Sequence, residues 1–390
     1  MMEDAMTDLI QPFRIAVPQA ELDDLRTRLS LTRWPDEETV DDTAQGPQLV
    51  KLKALIGYWV DGYDWRKCEA LLNGWDQHKT EIDGLGIHFL HIRSPRSDAL
   101  ALLLLHGWPG SVLEFRKLIG PLTDPAAHGS AEAPAFHLVI PSMPGYGFSD
   151  KPTATGWDMP RIARAYVALM DRLGYRSWGV QGGDFGAGVT DEIAAMAPAG
   201  LVGMHSNFAM FMPTPDEMKQ ATPDEQAMLK SAGRFWDILS GYAKLQGTRP
   251  QTIGYALADS PVAQAAWIYA MFQDTCGTPG NAEASFTLDE MLDDIMLYWL
   301  TNSGASSARL YWELVRTKWS SAAKPEKPIA VPAGFSMFAG EAVRKSRRWI
   351  AARYSNLSHF AEHAEGGHFA ALERPDAMIA DIRATFVNLL

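Results

Sequence analysis

Between residues 99 and 197 the chain alternates short apolar runs with helical patterns, and this alternation constrains its fold more than any other feature. The run ALALLLL (99–105) precedes helical spacing over 111–122. Apolar stretches at 136–141 and 177–181 then alternate with helical patterns at 158–174 and 186–197. A continuous apolar run is what a strand buried on both faces requires, and strands that alternate with helices pack as a parallel sheet. The pattern predicts an α/β chain with a mostly parallel central sheet and helices on both faces.

Either side of that stretch the character changes. AELDDLRTRLS (20–30) sets Leu22, Leu25 and Leu29 at helical spacing, a second helix is expected around Tyr63 to Asn73, and TEIDGLGIHFLHIR (80–93) reads as two strands about a DG turn. Residues 207–322 are rich in helical patterns broken by Pro and Gly, with little strand character, and strand patterning returns at 328–340 and 358–364. The expected organisation is an N-terminal segment (1–79) packing on core and lid, a first core part (80–206), a helical lid (207–322) and a second core part (323–390).

Composition narrows the partners. A net charge of −12 without a basic block argues against nucleic acid, and MMEDAMTDLIQPF has no apolar core of a secretory signal. The longest apolar run falls far short of the about 20 residues that span a bilayer. Cys68 and Cys276 match no metal spacing and suit a reducing compartment, so a soluble, cytoplasmic protein is expected.

The chemistry gathers around GVQGGDFGAG (179–188). It follows an apolar strand, precedes a helix, and its glycines permit a sharp turn that exposes the central side chain as a nucleophile. Asp184 stands where such turns carry serine; read alone, it could equally be a helix N-cap. LLLLHGWPGS (102–111) places a His-Gly turn after a buried strand, so the N–H groups of Trp108 and Phe185 are candidates for an oxyanion hole. The Gly/Pro-rich loop in VIPSMPGYGFSDKP (139–152) has the length to pack beside such a site. His368 in EGGHFAALERP sits in a glycine-led loop near the C-terminus, while its rivals His359 and His363 fall in an expected strand. Glu341, just after the strand ending SMFAG, completes the order nucleophile, acid, histidine. Glu362 and Glu365 are nearer His368 in sequence but do not leave a strand end, and a surface role for Glu341 stays open.

Taken together, HGWPGS, PGYGFSDKP, GGDFG and GGHFAALERP, with the N-terminal PFRIAVPQAELDDLRTRLSLTRWPDE, resemble the microsomal-type epoxide hydrolases of the α/β-hydrolase fold over nearly the whole chain. The resemblance implies two lid tyrosines that polarise an epoxide oxygen: Tyr242, in GYAKLQGTRPQTIGYALADSPVA, and Tyr311, in YWLTNSGASSARLYWE. It makes a homodimer plausible. Two departures stand out. Phe185 replaces the Trp usual after the nucleophile, which bears on pocket shape rather than on the backbone N–H. The mammalian members carry an N-terminal membrane anchor, and from this sequence microsomal residence is not expected.

Aspartate in this position narrows the substrate. A serine that opened an epoxide would become an inert ether, whereas a carboxylate forms an ester that water can cleave. Electrophilic sp³ carbon is therefore expected, in epoxides or alkyl halides. Paired phenols of pKa about 10 suit the alkoxide of an opened ring. Trp108 keeps a haloalkane dehalogenase as the alternative, and a catalytically silent binding protein is a third. No metal or organic cofactor is required. Trp236, Trp267, Met271 and Phe272 suggest an apolar lid and a bulky, apolar or aromatic epoxide, though each could equally be lid core. Detoxification and natural-product biosynthesis fit the sequence equally.

Overall fold

The computed structural model describes residues 9–317 and 328–389; the first eight residues of the expected N-terminal segment and the expected boundary at 322/323 lie outside the described residues. Nine strands form one sheet: β1 (Gln11–Pro12), β2 (Gln77–Ile82), β3 (Leu85–Ile92), β4 (Leu100–Leu105), β5 (Phe136–Pro141), β6 (Trp178–Gly182), β7 (Leu201–Ser206), β8 (Ala333–Phe338) and β9 (Leu357–His363). Their order is β1-β2-β3-β5-β4-β6-β7-β8-β9. The first three form an antiparallel meander that joins β5 antiparallel, and from β5 to β9 every neighbouring pair is parallel. The DG turn between β2 and β3 has positive φ at both Asp83 (53°) and Gly84 (73°), which suits the twist of a tight hairpin. β4 is buried along its whole length, as its unbroken apolar run demands.

Helices α1 (Gln19–Ser30), α2 (Leu49–Asp61) and α3 (Trp65–Asn73) precede the main sheet. α1 buries Leu22, Leu25 and Leu29 as its spacing predicts. α2, not among the helices expected from sequence, buries Leu52, Leu55, Ile56 and Trp59 as one stripe. Tyr58 and Tyr63 hydrogen-bond Asp289 (2.8 Å) and Asp293 (2.7 Å), so this segment is tied to the long helical excursion described below.

Over the sheet lie α4 (Arg116–Thr123), led in by a short 3₁₀ turn, α5 (Met159–Arg172) and α6 (Asp184–Met196). Between β7 and β8 come α7 (Pro215–Lys219), α8 (Pro223–Arg234), a π-helical turn (Phe235–Leu239), α9 (Gly241–Thr248), α10 (Pro250–Asp259), α11 (Pro261–Thr275), α12 (Leu288–Leu300) and α13 (Gly304–Arg316). Thr214, Thr222 and Thr287 open α7, α8 and α12 with capping boxes, satisfying end N–H groups that would otherwise lack partners. Helices α14 (Arg347–Arg353), α15 (Ala370–Glu373) and α16 (Pro375–Phe386) close the chain. No helix among the described residues is long and apolar enough to cross a membrane. Cys68 and Cys276 are both buried and unbonded to each other.

The turn from β6 into α6 depends on a close approach. A Cβ at Gly186 would lie 2.0 Å from the carbonyl oxygen of Leu105 and 2.9 Å from that of His106. Both obstacles are backbone at the end of β4, so neither can swing away. Gly186→Ala is expected to destabilise the protein by about 3 kcal/mol, the upper range for overpacking a dense core. Equilibrium denaturation measures this, and a midpoint shift equivalent to under 1 kcal/mol would contradict it.

Candidate active site

The parallel strands all end at one edge of the sheet, where loops converge and where open α/β sheets place their ligands. The turns after β4, β6, β7, β8 and β9 deliver Trp108, Asp184, the 208–212 segment, Glu341 and His368 to that edge. Asp184 has φ +48°, a left-handed conformation that costs a non-glycine residue about 1–2 kcal/mol. The turn is sharp enough to lift its carboxylate off the sheet while α6 starts directly beneath.

Two contacts fix that carboxylate. The backbone N–H of Trp108 donates to Asp184 Oδ1 at 2.9 Å, and His368 Nε2 lies 3.3 Å from Oδ2. On its other side, His368 Nδ1 is 2.6 Å from Glu341 Oε2. Glu341 is in turn held by the N–H of Val343, 2.9 Å from its second oxygen. Phe185 lies in the first turn of α6, where N–H groups have no partner within the helix. Burial alone would push the His368 pKa down, but Glu341 and Asp184 together hold it well above the usual imidazole value. In the resting site His368 is therefore a cation between two carboxylates.

The His368 loop is fixed by close packing against the end of α11. Its N–H donates to Thr275 O at 2.8 Å, and a Cβ at Gly367 would lie 2.5 Å from Thr275 O. Nothing larger than glycine fits before the histidine. The rival histidines serve elsewhere: His359 and His363 bind the two carboxylate oxygens of Asp381 on α16, at 3.0 and 2.6 Å. Glu365 pairs with Arg374, and Glu362 is exposed.

Facing this cluster is a cavity of about 240 Å³ lined by Asp184, His368, Glu341, Tyr242 and Tyr311 among others. Tyr242 stands at the start of α9 and Tyr311 within α13. The indole of Trp108 stacks on the Tyr242 ring (5.0 Å between centroids, 14° between planes), and Phe185 packs edge-on against Tyr311 at 4.6 Å. Burial, then the charge of Asp184, raises the Tyr242 pKa; burial, Tyr242 and Asp184 raise that of Tyr311. Both phenols are therefore weaker acids than the ordinary value of about 10 assumed from sequence, and both stay protonated as donors across the neutral range.

The four apolar residues singled out in the lid divide. Met271 lines the cavity and Trp236, 46% exposed, stands at its rim. Trp267 and Phe272 lie outside the cavity. Only the last turn of α11, with Met271 and Thr275, reaches it; Trp267 sits a turn earlier and hydrogen-bonds Gln246. Phe272 points about 100° around the helix into a cluster with Phe286 and Phe369. Tyr269 and Tyr298 bond Glu283 and the Gly110 carbonyl, and Tyr255 is exposed, so these lid tyrosines are packing or surface residues. Much of the wall was missed: Phe208, Met210, Phe211, Phe235, Val343 and Lys345. The apolar run NFAMFMP (207–213), directly after the β7 strand end, was the available signal.

Known proteins resemble this chain over nearly its whole length. Residues 10–115 match a family described as "Epoxide hydrolase N terminus", and residues 101–232 match "alpha/beta hydrolase fold". The chain is 52% identical to a "Putative epoxide hydrolase" of Stigmatella aurantiaca, over 97% of this chain and 85% of that protein. It is 34% identical to "Epoxide hydrolase 1" of Sus scrofa, over 99% and 90%. The solved structure of the Aspergillus niger epoxide hydrolase superposes with a TM-score of 0.87 at 32% identity, covering 99% of this chain and 98% of that one.

Proposed function

The chain belongs to the epoxide hydrolases of the α/β-hydrolase fold, and we propose that it works through a covalent ester on Asp184. The observation that carries this reading is the Asp184 carboxylate held between the Trp108 N–H and His368, in the same cavity as Tyr242 and Tyr311. One Asp184 oxygen attacks a ring carbon, and the C–O bond breaks towards the ring oxygen, which the two phenols hydrogen-bond. Esterification removes the negative charge of Asp184 and with it part of what holds the proton on His368. That proton leaves as the opened ring takes one up.

Neutral His368, oriented by Glu341, then draws a proton from water as the water oxygen attacks the Asp184 carbonyl carbon. The N–H groups of Trp108 and Phe185 stabilise the oxyanion. Collapse expels the diol oxygen, which takes the proton from His368; the acid proton left on Asp184 then passes to His368, restoring the carboxylate and the imidazolium. A halide-releasing reaction has less support: it would need Trp108 as a side-chain donor, and Trp108 is not among the residues that line the cavity.

The substrate we infer is an apolar, single-ring or comparably sized epoxide. The wall carries four Phe and three Met side chains, and about 240 Å³ exceeds the roughly 150 Å³ cavity that holds benzene. Styrene oxide and short aliphatic epoxides should give vicinal diols, whereas 1-chlorohexane should release no chloride. Halide release at a rate comparable with ring opening would overturn the choice of leaving group.

A further inference from the structure

One buried charge in the reaction cavity has no part in the mechanism above. Lys345 lies in the loop between β8 and α14, lines the cavity, and is only 3% exposed. Its ammonium carries three N–H donors. A single hydrogen bond engages it, to the carbonyl of Val343 at 3.3 Å. The nearby carboxylate of Glu341 is already committed, one oxygen to His368 and the other to the Val343 N–H. No ion pair to Lys345 exists among the described residues.

Burying a cation without a direct ion-pair partner is costly, and Glu341, the carboxylate whose charge acts on it, already has both oxygens engaged. Burial accordingly lowers its pKa to about 8, opposed by Glu341, so at neutral pH the ammonium form persists inside a mostly apolar chamber. Such a group is stabilised when a ligand brings the missing oxygen acceptors.

We propose that Lys345 is a specificity residue that selects epoxides carrying a carboxylate on an otherwise apolar frame. This rests on the epoxide hydrolase reading and narrows its substrate class. The apolar wall takes the hydrocarbon body, Asp184 and the tyrosines take the ring, and Lys345 takes the anionic end. The charge pair would form out of water, where a charge-assisted hydrogen bond is about twice as strong as a neutral one.

The test compares styrene oxide with its 3- and 4-carboxylate derivatives and their methyl esters, using the full chain. In Lys345→Met, the ratio of kcat/KM for the better carboxylate to that for styrene oxide should fall at least about tenfold, the usual effect of removing a charged partner. Lys345→Arg should keep most of that ratio. If Lys345 acted only through Glu341 and His368, all substrates would slow together and the ratio would not change, which overturns the proposal. A measurement on the wild-type protein covers the case of a variant that does not fold. By calorimetry, 4-ethylbenzoate should bind at least tenfold more tightly than 4-ethylbenzamide, and equal or weaker binding refutes the assignment. Because that measurement needs no turnover, it separates failure of this assignment from absence of epoxide hydrolysis.

Discussion

Asp184→Ala is expected to abolish diol formation, with kcat/KM falling by at least about 10⁴-fold, as for nucleophiles that act within a catalytic unit. His368→Gln should behave differently. The carboxylate remains, so the ring still opens, but no base is left to activate water. The ester on Asp184 should accumulate and appear in the mass spectrum of the intact protein as an added substrate mass. Oxygen labelling gives the sharper result. With excess enzyme in ¹⁸O water, the diol of the first turnover should be unlabelled, because its new oxygen comes from Asp184, and the label should enter Asp184 instead. Label in the first diol would mean direct attack by water. The 3.3 Å separation between His368 Nε2 and Asp184 Oδ2 makes the sequence of roles specific: the same imidazole that is held as a cation by two carboxylates becomes a base once one is esterified.

The second large effect concerns the tyrosines. Tyr242→Phe or Tyr311→Phe alone should slow ring opening by about 10²-fold, the cost of removing one donor from developing negative charge. The double variant should lose at least about 10³-fold, and less than additively, since the rings pack edge-on 5.9 Å apart and each phenol perturbs the other. The effect belongs in alkylation, so pre-steady-state ester formation should slow while ester hydrolysis keeps its rate. A double variant that forms the ester at the wild-type rate would remove both residues from the mechanism. Stacking of Trp108 on Tyr242 fixes the plane of that phenol beside Asp184.

Much of the framework was legible because its signals are local. The apolar run of β4, the DG hairpin and the glycine-bounded turn at Asp184 each follow from a few neighbouring residues. β7 was harder: LVGMHS mixes Gly203 and His205 into a short strand, and only its pairing between β6 and β8 makes it one. α2, in contrast to β7, has the same local character as β4 and the hairpin, with Leu52, Leu55, Ile56 and Trp59 at regular helical spacing. The cavity wall resisted for a physical reason. Whether a lid side chain faces the nucleophile depends on how far its helix extends over the sheet edge, and Met271, Trp267 and Phe272 on one helix take three different surroundings.

By itself, the sequence determined the sheet class and singled out the turn at Asp184 and the order Asp184, Glu341, His368 as candidates, since each is written in local composition and strand-end placement. Its likeness to a known family added Tyr242 and Tyr311, which no periodicity would have selected. Only the tertiary structure decided which groups share one space. The contact of Trp108 N–H with Asp184, the double carboxylate clamp on His368 and the burial of Lys345 beside them join residues far apart in the chain. Charge interactions at a few ångströms depend on distance and on exclusion of water, and neither quantity is encoded in any single stretch of sequence.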